Sequence, residues 1–227
     1  MMNKKVETMT RTRDEVELRK TMKYLKENTN SILVPCENKN PKVKHKGNIW
    51  TWESVKEYEW WLQTSHIGIL TRDIFVLDFD KRYEIEKWER DWPILKDCPK
   101  ETTKKGAHYY FFRTKKCDEL GLYDKSRALI LNDTELSIDL KTLCSTGTCG
   151  LVICAPSPNK KWVKPLSDGL LPIPDELCEY IALMEVKKRQ GFNGQELEIY
   201  NGENKLELEE FCNNLLKEKV NDTTSVC

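Results

Sequence analysis

The stretch Ile67-Gly68-Ile69-Leu70-Thr71-Arg72-Asp73-Ile74-Phe75-Val76-Leu77-Asp78-Phe79-Asp80 decides how this chain is read. Two short apolar runs flank the polar Thr71-Arg72-Asp73, the pattern of strand, turn and strand, and a β-hairpin is expected. Side chains alternate between faces along a strand, so Asp78 and Asp80 point the same way, about 7 Å apart, with Leu77 and Phe79 on the opposite face. Two acids at the end of an apolar strand repel each other. They stay ionised together when a cation sits between them, and a Mg2+ or Mn2+ ion bound through carboxylate oxygens is the usual solution. A strand emerging into solvent carries the same pair, so the motif needs company.

Outward from this stretch, residues 13–28 read as a helix, and Ser31 to Val34 as a strand stopped by Pro35. Glu53 to Gln63 reads as a helix whose Tyr58, Trp60 and Trp61 pack on a sheet. Downstream, Tyr83 to Trp92 is a short amphipathic helix closed by Pro93, followed by strands at Ala107 to Arg113, Glu135 to Lys141 and Leu151 to Ala155. Pro174 and Asp175 start a helix that runs to Val186. The pattern gives an α+β fold, a mixed or antiparallel sheet with packed helices. Residues 1–30 form a helical lead-in, 31–186 the main domain, and 187–227 a polar linker with a last amphipathic helix.

Composition excludes some classes. With 39% hydrophobic and 33% charged residues in 227, the chain has the balance of a globular protein, and no run is long enough to span a membrane. Nine cysteines, an odd number behind a start with no export signal, read as free thiols in a reducing compartment. A zinc site built from Cys98, Cys117 or the Cys144 cluster is the minor alternative. Thirty-seven basic residues balance 37 acidic ones, so any attraction for phosphates is local. The runs Lys39 to Lys46, and Lys104, Lys105, Arg113, Lys115 and Lys116, are either solvated faces or phosphate-attracting patches.

A third acid adds weight to the first two. In Ser137-Ile138-Asp139-Leu140-Lys141, Asp139 and Lys141 share a face, so one strand offers a metal ligand and a cation. Carboxylates that place metal ions, with fixed cations for a triphosphate, are what phosphoryl transfer requires. Before the next strand stands Lys104-Lys105-Gly106-Ala107-His108, with Gly106 permitting close backbone approach and His108 one of only three histidines.

In this order, Asp78-Phe79-Asp80, Gly106-Ala107-His108, Ile138-Asp139 and Cys149-Gly150 through Ala155-Pro156-Ser157 resemble the signatures of the prim-pol family of the archaeo-eukaryotic primase superfamily. The resemblance covers about residues 31 to 175, since Lys39-Asn40-Pro41 is similar to an early Lys-x-Pro segment of that family. It extends to the primase part of poxvirus-type and giant-virus primase-helicases. The departures are the turn at Thr71-Arg72-Asp73, which lacks a glycine, Lys105-Gly106 in place of two glycines, and a single proline before Ser157.

The resemblance implies an RRM-like primase-polymerase core that extends DNA from nucleoside triphosphates on a single-stranded template. Asp78, Asp80 and Asp139 would hold Mg2+ or Mn2+, and His108, Lys104, Lys141 and Ser157 would contact the nucleotide. A helicase is implied as a partner, either fused or separate. A metal-dependent nuclease or other phosphoryl transferase, and a silent nucleic-acid-binding module of the same fold, are the alternatives. Because the available cations are loop lysines and no base-reading motif is evident, binding to single-stranded DNA is expected to be salt-dependent and nearly blind to sequence. Fluorescence anisotropy across a salt series, with oligonucleotides of different sequence, measures this.

Overall fold

The computed structural model of the chain describes residues 2–43, 52, 64–131 and 134–186. The expected helix at Glu53 to Gln63, part of the first basic run, and everything after Val186 lie outside the described residues. In chain order the elements are α1 (Met2–Asn28), β1 (Ile32–Glu37), β2 (Asn40–Pro41), β3 (His66–Thr71), β4 (Ile74–Phe79), α2 (Arg82–Asp91), β5 (Lys100–Thr102), β6 (Ala107–Phe112), α3 (Lys115–Glu119), β7 (Ser126–Leu131), β8 (Thr134–Lys141), β9 (Gly150–Cys154), β10 (Lys161–Lys164), β11 (Leu171–Pro172), α4 (Asp175–Ala182) and β12 (Glu185–Val186).

The strands form two sheets. The smaller has the order β2-β1-β3-β9, and the larger β10-β5-β6-β4-β8-β7-β12, with β11 added alongside β6. The β11–β6 pairing is parallel and the pairings along both sheets are antiparallel, which with the packed helices makes the expected α+β fold. No described helix is long and apolar enough to cross a membrane.

The expected hairpin at Thr71-Arg72-Asp73 is corrected. Strand β3 pairs with β1 and β9, while β4 pairs with β6 and β8, so this turn carries the chain from one sheet to the other. Both apolar runs are buried on both faces, and a hairpin with one wetted face would have exposed half of each. Asp73 fixes the turn, accepting hydrogen bonds from Asn30 N at 2.7 Å and from the Ser31 hydroxyl at 2.7 Å. None of residues 71–73 has a positive φ, so the turn needs no glycine.

Two further expectations change. Pro35 does not stop β1, because its carbonyl accepts from Lys42 N on the β2 side, at 2.8 Å. The N–H that proline lacks would face the same side, so no ladder bond to β3 is lost. The helix expected to reach Val186 ends at Ala182, and Glu185–Val186 instead pairs with β7 as an edge strand.

The alternation of β4 feeds two cores. Ile74 and Val76, with Tyr110 of β6, pack with the small sheet and with Leu18 and Leu25 of α1. Phe75, Leu77 and Phe79, with Tyr109 and Phe111 of β6, pack on the opposite side with Trp88 of α2 and Leu177 and Ile181 of α4. Glu89 fastens α2 to this second layer, accepting from Lys100 Nζ at 2.7 Å and from the Tyr109 hydroxyl at 2.7 Å. Partial burial opposes ionisation of Glu89, but these two bonds outweigh it and its carboxyl titrates below the usual range.

A carboxyl whose folded pKa is depressed contributes stability that is present above the unfolded value near about 4.3 and is lost as pH falls through the folded value. Glu89→Gln should therefore cost on the order of 1 kcal/mol at neutral pH. The difference from the parent chain should shrink as pH falls below about 4, as measured by denaturant unfolding at a series of pH values.

Candidate active site

The register of the large sheet aligns four charged residues from four adjacent strands. Glu101 of β5 lies opposite His108 of β6, His108 opposite Asp78 of β4, and Asp78 opposite Asp139 of β8. The row occupies the face of β4 and β6 that also carries Val76 and Tyr110, at the margin of the core between the sheets. It opens progressively: Glu101 is 0% exposed, His108 6% and Asp78 20%, while Asp139 reaches 36%.

His108 uses both ring nitrogens within the row. Nδ1 donates to Glu101 Oε1 at 2.7 Å, and Nε2 lies 3.1 Å from Asp78 Oδ1. Burial disfavours the imidazolium, but the bonds to Asp78 and Glu101 and their charges outweigh it, raising the His108 pKa above its ordinary value. For Asp78, burial disfavours the carboxylate, and the hydrogen bond from His108 with the charges of His108, Lys141 and Lys160 reverses this and lowers its pKa. Lys141 donates to Asp139 Oδ2 at 3.0 Å, and despite partial burial its pKa is raised by that contact. The two partner carboxylates, Asp78 and Asp139, are thus each held by a cation on the same face.

The other expected residues are placed differently. Asp80 follows the last residue of β4 and is exposed. Its backbone is set by Gly106, where an added Cβ would fall on the Phe79 carbonyl, so only glycine lets the start of β6 pass over the Phe79–Asp80 peptide. Lys104 is exposed in the turn between β5 and β6 and makes none of the contacts of the row. Ser157 is buried, its hydroxyl accepting from Ile67 N at 2.8 Å and donating to Ile67 O at 3.3 Å.

Two residues of the cluster were not anticipated. Glu101 stands in the polar Lys100-Glu101-Thr102, which has no apolar alternation. The signal lay in the Gly106 turn, since folding the chain back there pairs residues 100–102 with the His108 strand. Lys160 follows Asn159, whose φ of 62° an asparagine tolerates, and its Nζ lies 3.4 Å from Glu101 Oε1 and 3.4 Å from each His108 nitrogen.

Among the described residues, no three His, Cys, Asp or Glu side chains are gathered to hold a metal ion. The donor chemistry of the Asp78–Asp139 pair nevertheless fits a hard divalent cation. Both are carboxylates on adjacent strands, and each keeps one oxygen without a hydrogen bond among the described residues. Asp80 lies one step further along the same strand direction. The described cysteines are free thiols, with Cys117 and Cys178 in contact at 3.6 Å.

Nothing among curated proteins matches the chain. A family model does match it over residues 21–176, from within α1 to the start of α4, a range that contains every residue of the row. On that match the chain belongs to the Prim-Pol family, described as the bifunctional DNA primase/polymerase N-terminal domain.

Proposed function

We propose that the chain performs template-directed nucleotidyl transfer from nucleoside triphosphates on single-stranded DNA, with Mg2+ or Mn2+ held by Asp78, Asp139 and Asp80. One observation carries this reading. Asp78, His108 and Asp139 come from separate motifs of the sequence, yet Asp78 is the register partner of both His108 and Asp139 across three adjacent strands. Chance placement of surface charges has no reason to produce such a row, whereas a site for a metal-bound triphosphate needs carboxylates and cations side by side.

Bound divalent ions would neutralise phosphate charge and ease deprotonation of the attacking hydroxyl. The chain's own groups do the rest. Asp78 and Asp139 supply oxygen donors from rigid strands, and the Gly106 contact holds the Asp80 backbone next to them. His108 and Lys141 present positive charge beside the acids, where the phosphates of the nucleotide would lie. Of the two His108 contacts, the one through Nε2 is the longer, at 3.1 Å, and is the one a phosphate oxygen would take over. Lys104, exposed near the strand entry, meets the outer phosphates. A direct phosphate contact by Ser157 requires its hydroxyl to leave Ile67; otherwise Ser157 serves by holding its turn.

Incorporation of labelled nucleotide on a single-stranded template, with Mg2+ or Mn2+, tests the reading. Asp78→Asn should abolish incorporation at any nucleotide concentration, and removal of the metal with chelator should do the same. His108→Ala should raise KM for the nucleotide by about ten-fold, the loss of one charge-assisted bond, with template binding unchanged. Metal-dependent degradation of DNA without incorporation would favour a nuclease, and binding without either reaction a silent module.

A further inference from the structure

Glu101 is buried completely, yet four donors converge on its carboxylate. Oε1 accepts from His108 Nδ1 at 2.7 Å and from the Tyr110 hydroxyl at 2.7 Å, and lies 3.4 Å from Lys160 Nζ. Oε2 accepts from Ala155 N at 2.6 Å, at the end of β9 in the small sheet. The Tyr110 hydroxyl is fully buried against this carboxylate, so it stays protonated and donates.

The contact between Lys160 and His108 needs explaining. Lys160 has a long side chain that could carry its amine into water. Instead Nζ is turned inward, its side chain 11% exposed, to 3.4 Å from both nitrogens of a second basic group. Two basic groups at that distance repel when both are charged, and the carboxylate of Glu101 in contact with both offsets the repulsion. Two such groups side by side suit a polyanion such as a triphosphate better than a lone cation would. The inward lysine offsets the charge of the buried Glu101 carboxylate, and the same contact sets its amine beside His108.

We infer that Glu101 is a positioning residue of the nucleotide site, setting His108 and Lys160 side by side for the triphosphate and fastening the turn that carries Lys160 through the Ala155 amide. The inference rests on the nucleotidyl-transfer reading and adds Lys160 to the residues that contact phosphate.

The test uses the full chain with Lys160→Met, Glu101→Gln and the double variant. Lys160→Met should raise KM for nucleoside triphosphate about ten-fold with kcat changed by no more than about two-fold. Glu101→Gln should raise KM at least as much, and the double variant should be no worse than Glu101→Gln alone, because both act through one contact. Independently of activity, amide hydrogen exchange read by NMR should speed up at Ala155 in Glu101→Gln and stay unchanged there in Lys160→Met.

An unaltered KM in Lys160→Met, which leaves the buried carboxylate in place, overturns the inference even if Glu101→Gln fails to fold. So does an additive double variant, or an Ala155 amide as protected in Glu101→Gln as in the parent. If the parent chain neither incorporates nor binds nucleotide, the functional reading fails and takes the Lys160 contact with it, while the exchange data still decide whether Glu101 fastens the turn.

Discussion

Strand β4 is buried on both faces, and the rest of the site depends on that constraint. Its odd-numbered residues Phe75, Leu77 and Phe79 fill the layer under α2 and α4, and its even-numbered Ile74 and Val76 fill the core against the small sheet. Period-two alternation then assigns Asp78 to the inter-sheet face with no freedom to move, since a slip of one residue would bury an acid among Trp88, Tyr109 and Leu177. The core on that face ends at Val76 and Tyr110, so the next residue of β4 on that face is the first that can be charged. The Asp78 carboxylate placed there is held by the packed apolar residues before it, and is partly solvated because the core stops.

Charge balance follows from the same geometry. Glu101 touches His108 and Lys160, Asp78 touches His108, and Asp139 touches Lys141, so every acid of the row touches a base. Breaking one member of a buried ionic set costs about 3–5 kcal/mol, because the remaining charge is left without a partner in a poorly solvating environment. The chain carries that liability at the deep end of the row, around Glu101, and relaxes it at the Asp139 end where water reaches.

Much of this was legible in the sequence, for reasons that can be stated residue by residue. Asp78, Asp139, Lys141 and His108 sit in apolar strands whose alternation reveals which face each side chain takes, and the structure brings these residues together. Local pattern could not reveal partners. The runs 67–70 and 74–77 look like two halves of a hairpin because they are adjacent, and only the burial of both faces assigns them to different sheets. Pro35 reads as a stop until the direction of its carbonyl is known, and Glu101 and Lys160 stand in polar segments with no periodicity to read. Ser157 is legible as a motif residue, but its bond to Ile67 depends on a contact between distant parts of the chain.

That contact shows how the relative position of the two sheets is set. The core between the sheets is apolar, and apolar attraction is non-directional, so packing alone leaves some freedom in how the sheets slide past each other. The turn after β9 removes it. Ala155 N is tied to Glu101 on β5 of the large sheet, and the Ser157 hydroxyl is tied to both backbone groups of Ile67 on β3 of the small one. Hydrogen bonds require alignment within a few tenths of an ångström, so three of them on one short turn fix a relative position that the core only makes favourable. The same turn delivers Lys160 to His108, and the spacing of the sheets and the placement of the inward lysine are therefore a single geometric condition.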